Sequence, residues 1–278
     1  MDRDLGTVLF GLVSAASWGS GDFSGGRAAR RTSVLVVLLI SEAVGSVLLL
    51  AAALALGERL PDAAALMWAA AAGIGGTVGL AALYRGLATG AAAVVAPVSA
   101  LVSAAIPVAV GAALEGAPAP TVLAGFALAL AGIWLVAGGG GWQTMRALGL
   151  PLLAGIGFGA FFVCIHRASA EATFWPLFVA RLVALLLGLP LALARRSWRG
   201  VSIGSAWLPA LAGIFDAGGN LFFVLAGQLG RLDTASVLSS LYPATTVLLA
   251  RLIDGEPIGR RQWLGLATVL AAIALIAA

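Results

Sequence analysis

VLVVLLISEAVGSVLLLAAALAL, the stretch from Val34 to Leu56, carries a single charge, Glu42, in an otherwise apolar run. About 20 such residues cross the hydrocarbon of a bilayer as a helix, because a helix satisfies its backbone polar groups internally. The stretch therefore reads as a membrane span, since a soluble helix would keep a polar face. Working outward, further stretches meet the same condition: Leu5 to Gly26, Ala63 to Gly86, Ala91 to Leu114, Val122 to Ala137, Leu148 to His166, Phe174 to Ala194, Trp207 to Leu229, Thr234 to Ile253 and Trp263 to Ala277. The run from Leu80 to Leu114 is too long for one crossing and divides near Thr89 and Gly90. The first stretch ends without an Ala-x-Ala cleavage site, so it reads as a retained helix. The separators are short, carry the breakers and charges, and leave no room for a soluble domain.

Composition agrees with ten spans. Of 278 residues, 61% are hydrophobic and 10% charged, against roughly 25% charged in a soluble domain. So few charges cannot cover a protein surface, and lipid must solvate most of it. All 16 basic residues are Arg, scattered between apolar stretches, and the net charge is only +4. With no concentrated basic patch, nucleic acid is not an expected partner. Cys164 stands alone in an apolar run, which excludes a disulfide framework and a Cys-based metal site. The chain has no Gly-Lys-Ser/Thr loop, no His-Glu-x-x-His and no Ser elbow. Neither a cofactor, a metal nor enzymatic activity is expected. The one histidine, His166, sits at a helix end beside Arg167, as an interfacial residue or a pH-sensitive gate.

Segments about 139 residues apart match one another, which is half the chain. Ala72-Gly73-Ile74 recurs as Ala212-Gly213-Ile214, and Trp18-Gly19-Ser20-Gly21-Asp22-Phe23 has a weaker echo in Ile156-Gly157-Phe158-Gly159-Ala160-Phe161. Glu115 and Glu256 each follow a long apolar helix and precede a final one. The expected fold is an all-α membrane protein of about ten transmembrane helices, made of repeats at 1–139 and 140–278. Five is odd, so the second copy enters the membrane upside down. Inverted repeats place a shared cavity at their pseudo-two-fold axis, reached from either side as the halves rock. That architecture points to a secondary transporter. A membrane enzyme acting on lipid and a non-transporting or channel-like module are the alternatives, although no His, Asp or Glu cluster at an interface supports the first.

The order of features resembles the drug/metabolite transporter superfamily, in its ten-helix EamA branch. The resemblance rests on Ala16-Ser17-Trp18-Gly19-Ser20, Leu83-Tyr84-Arg85-Gly86-Leu87, Leu241-Tyr242-Pro243 and Asp254-Gly255-Glu256-Pro257. It implies export or exchange of an amino acid, metabolite or drug through a central cavity, possible proton linkage, and no nucleotide hydrolysis. It also implies a multi-pass protein of the cell membrane. Members often carry a basic residue in the second helix as well as the seventh. Here Arg181 matches the seventh, while Glu42 stands in the second.

A charge inside a span costs about 3 kcal/mol at the bilayer centre unless it meets a partner or a polar cavity. Four qualify as candidates: Asp22, Glu42, Arg181 and Asp216. Asp22, flanked by Gly19, Gly21, Gly25 and Gly26, reads as a solute or proton site, an interfacial ion pair or a packing residue. Glu42 and Arg181 fall at matching positions of the two halves, where the symmetry brings them face to face as a permanent pair or one that a zwitterion opens. Asp216 precedes Gly218, Gly219 and Asn220, an amide able to line the same cavity. Trp18, Tyr84 and Tyr242 offer flat walls to an aromatic or cationic solute, or simply pack. Expected partners are a small solute and lipid, with protons where transport is proton-linked, and the protein is expected to be a monomer or weak homodimer. The loop count of Arg favours both termini outside, while the resemblance implies both inside.

Overall fold

The computed structural model describes residues 3–89, 92–115, 120–136, 148–198 and 206–277. Among them lie eleven α-helices and no strand. They are α1 (Arg3–Ala29), α2 (Val34–Ala55), α3 (Ala63–Leu87), α4 (Ala92–Glu115), α5 (Pro120–Val136), α6 (Gly149–Ala168), α7 (Phe174–Ala194), α8 (Trp207–Leu229), α9 (Leu232–Ser239), α10 (Pro243–Ile253) and α11 (Arg260–Ala277). Seven segments among the described residues are long and apolar enough to cross a membrane: six lie in α2, α3, α4, α6, α7 and α8, and the seventh runs through α9 and α10. Val47, Leu186 and Leu252 stand 64–70% exposed on the outside of the bundle. Large apolar side chains facing outward on so many helices fit lipid as the surrounding solvent.

One expected span is divided. The stretch from Thr234 to Ile253 is two helices, with Ser240, Leu241 and Tyr242 between them. Pro243 has no N–H to give the Ser239 carbonyl four residues back, so the ladder stops there. The expected break near Thr89 is present between α3 and α4, with residues 90 and 91 outside the described part.

The packing repeats itself. α1 lies along α8 and α6 along α3, while α2 faces α7 and α5 faces α11. α4 rests on α6 as α9 and α10 rest on α1. Ser14 and Ser17 of α1 donate to the carbonyls of Gly219 and Phe215 on α8, so these two helices run antiparallel. The twice-occurring Ala-Gly-Ile tripeptide marks a crossing made twice. A Cβ on Gly73 would stand 2.4 Å from the Ala180 carbonyl oxygen of α7, and one on Gly213 would stand 2.3 Å from the Ser41 carbonyl oxygen of α2. Only glycine lets the backbones approach so closely, which is how small residues hold helices together in lipid. The sequence echo aligned Trp18 with Ile156, and the packing corrects it by two residues. Trp18 lies over Gly219 as Phe158 lies over Gly79.

Polar groups gather at the two ends of the bundle. Glu58, between α2 and α3, accepts hydrogen bonds from the backbone N–H groups of Thr173, Phe174 and Trp175, capping the start of α7. A carboxylate there meets the positive end of the helix dipole. At the opposite end, Arg27 pairs with Asp254 at 2.9 Å, and Arg30 with Asp254 at 3.1 Å and Glu256 at 2.8 Å. These pairs tie the end of α1 to the turn between α10 and α11.

Candidate functional site

Charge inside the bundle converges on Arg181, in the first half of α7. Its side chain is 3% exposed, with Nη1 donating to Glu42 Oε2 at 3.0 Å and Nη2 to Asp216 Oδ2 at 2.6 Å. Gly45, one turn from Glu42, lets the guanidinium lie against the α2 backbone, since a Cβ there would come within 2.6 Å of Nη1. Asp216 Oδ2 also accepts from Asn220 Nδ2 at 3.3 Å, and Asn220 Oδ1 accepts the Trp18 indole N–H at 2.9 Å. The polar contacts thus run unbroken from α2 through α7 and α8 to α1. Such neighbours offset part of the cost of burying the pair, while Arg181 Nε has no hydrogen-bond partner among the described residues.

These groups surround a cavity of about 60 Å³, room for about four waters. Trp18, Asp22, Glu42, Arg181, Asp216, Asn220 and Tyr242 all line it. Tyr84 does not. Its ring is fully buried against Gly25 of α1. Asp22 is 5% exposed and lines the same cavity as Asp216, with no hydrogen bond or ion pair to it among the described residues. The Tyr242 hydroxyl shares a hydrogen bond with Ser99 of α4, which fixes the residue next to the Pro243 break.

Several lining residues were not singled out from the sequence. Phe158, Phe161 and Phe162 of α6 form an aromatic wall. Trp18 stacks on Phe162 with centroids 5.4 Å apart, and Phe162 on Phe223 at 4.8 Å. The signal available was the aromatic cluster inside the echo of the Trp18 segment. Phe223 also borders a wider cleft of about 480 Å³ at the end of the bundle near Glu58, together with His166, Thr173 and Gln228. Three rings therefore stand between that outer cleft and the inner cavity. Among the described residues no cluster of His, Cys, Asp and Glu has the makings of a metal site.

The lining is symmetric in position and asymmetric in chemistry. Glu42 and Arg181 are 139 residues apart and touch, as a pair on a two-fold axis must. In the register set by Trp18 and Phe158, Asp216 falls opposite Gly76, Asn220 opposite Leu80 and Asp22 opposite Phe162. All six of these residues line the cavity.

A family model described as the EamA-like transporter family matches residues 5–138 and again 145–278. No curated protein matches the chain. A solved structure titled "Crystal structure of protein" is similar, with a TM-score of 0.69 and 20% identity over 97% of this chain and 95% of that one. At that identity the likeness concerns the fold.

Proposed function

Because the chain belongs to the EamA-like transporter family in two repeats, we propose that it is a secondary carrier moving a small metabolite, amino acid or drug by alternating access. The reading counts α9 and α10 as one crossing, which gives ten spans in two five-helix units, 1–139 and 140–278, inserted in opposite senses. The antiparallel packing of α1 on α8, matched by α6 on α3, supports it. One observation carries the reading. A charged cavity lies where the two halves meet, with stacked aromatic rings towards one end of the bundle and ion pairs at the other. Rocking of one half against the other opens one closure while the other holds, which is the geometry inverted repeats provide.

The carrier works in the plasma membrane as an exporter or exchanger, as a monomer or weak dimer. Asp22 and Asp216 take protons in exchange for solute, since occupancy by one excludes the other. Counterflow in proteoliposomes tests the carrier. Vesicles preloaded with unlabelled solute should accumulate labelled solute transiently above equilibrium, and simple monotonic equilibration would point to a channel. Proton exchange is tested by an imposed pH step, and solute flux that ignores the step removes the proton from the scheme.

A further inference from the structure

The charges around the cavity do not balance. Three carboxylates, Asp22, Glu42 and Asp216, line it against one guanidinium, Arg181. Arg181 is already engaged by two of the three, at 3.0 and 2.6 Å. Asp22, on the facing helix, has no such partner among the described residues and is 5% exposed. Its symmetry-related position in the second half is Phe162, so the duplication supplies no balancing cation. A carboxylate in a site this dry is charged only when a partner of opposite sign is present and otherwise holds a proton, so an arriving cation takes the place that the proton held.

From this imbalance we infer that the occupant of the cavity is a small organic cation, its ammonium group seated at Asp22 beside Asp216 and its apolar part against the rings of Trp18 and Phe162. The inference rests on the transporter reading and names its substrate class. Three features select a cation. An anion would enter a space with excess negative charge, and its carboxylate would have to displace Glu42 or Asp216 from Arg181. A zwitterion meets the same obstacle at one end. A cation needs no rearrangement of the Arg181 pairs, and the rings of Trp18 and Phe162 in the cavity wall give its apolar part an uncharged surface. Size adds a further limit. In this conformation the cavity of about 60 Å³ takes a group of only a few heavy atoms, because a cavity of about 150 Å³ is what holds a benzene ring.

The test uses three ligands that share a branched chain and differ in the charged groups it carries: isobutylamine, isovalerate and valine, which are cation, anion and zwitterion. Each is titrated against the purified full chain, with the shift in thermal unfolding as readout. Isobutylamine should stabilise at concentrations where isovalerate does nothing, with valine at least tenfold weaker than the amine. Asp22→Asn should abolish the amine response or weaken it at least tenfold. Should that variant not fold, the ranking on the unmodified protein still decides. Stabilisation by isovalerate or valine at amine-like concentrations overturns the inference, as does a response to none of the three, or an Asp22→Asn variant that binds the amine within twofold of the unmodified protein. Binding is read without transport. Counterflow that succeeds with a zwitterion would refute the cation while leaving the carrier intact.

Discussion

Replacing Gly73 or Gly213 by Ala probes the duplicated crossing at both of its copies. The added carbon would lie 2.4 Å from the Ala180 carbonyl oxygen in one case and 2.3 Å from that of Ser41 in the other. An ordinary carbon–oxygen contact is about 3.3 Å, so the paired helices must separate by about 1 Å. The obstructing atom is backbone and cannot rotate away. Overpacking of this kind costs about 1–3 kcal/mol, and the better helix propensity of Ala returns about 1 kcal/mol, which leaves a net loss of up to about 2 kcal/mol. Gly149→Ala is the control, because nothing lies within 4 Å of the added carbon and only the propensity gain remains. Thermal unfolding of the purified variants should rank Gly149→Ala at or above the unmodified protein, with Gly73→Ala and Gly213→Ala below it by similar amounts. Solute flux should fall in the same two variants, since Ala180 precedes Arg181 and Ser41 precedes Glu42. Equal stability of all three variants refutes the packing argument, and a loss confined to one copy refutes the two-fold equivalence.

Arg181→Gln strands Glu42 and Asp216 together and should destabilise by about 3–5 kcal/mol, while Glu42→Gln leaves the Asp216 pair intact and should cost clearly less. Chemical denaturation of the two variants gives the order. Glu58→Ala removes the acceptor for three backbone N–H groups at the start of α7 and should cost about 1–2 kcal/mol, read by thermal unfolding. Arg30→Gln removes two ion pairs and leaves Glu256, 9% exposed, without its arginine, so it should cost about 1–3 kcal/mol. It should also speed thiol labelling of a cavity cysteine from that end of the bundle.

Seven of the expected spans and the duplication were legible because lipid imposes a long, nearly uncharged run on each crossing and the ancestral copies keep their close-packed glycines. Ala72-Gly73-Ile74 and Ala212-Gly213-Ile214 match because the same backbone contact constrains both. The facing of Glu42 and Arg181 was legible for a related reason, as equivalent positions on one two-fold axis must meet. The register between the first and sixth helices was not. Gly19 and Gly21 have the spacing of Gly157 and Gly159, and aligning glycines hid the aromatic correspondence of Trp18 with Phe158. The second carboxylate on Arg181 was hidden as well, because α7 and α8 both pack against α2 and bring Asp216 to Arg181 there, and no spacing along the chain encodes that arrangement. Tyr84 sits in a motif of the third helix and faces packing, while Tyr242 reaches the cavity beside a helix break. Two tyrosines in similar apolar surroundings cannot be told apart before the helices are assembled. The pairs of Arg27 and Arg30 with Asp254 and Glu256 join the two repeats across more than 220 residues, beyond the reach of any local pattern.

Alternating access is the central claim, and sided labelling addresses it. Thr77 lines the cavity and takes no part in the Arg181 pairs, so Thr77→Cys in a Cys164→Ala background reports entry to the cavity. Arg30→Cys and Glu256→Cys, joined by a short bismaleimide before Thr77→Cys is exposed to reagent, hold the ion-paired end shut. In proteoliposomes an impermeant thiol reagent should then reach position 77 only from the end bordered by Glu58 and His166, whereas the unjoined protein labels from both. Labelling from both faces with the closure locked would contradict alternating access.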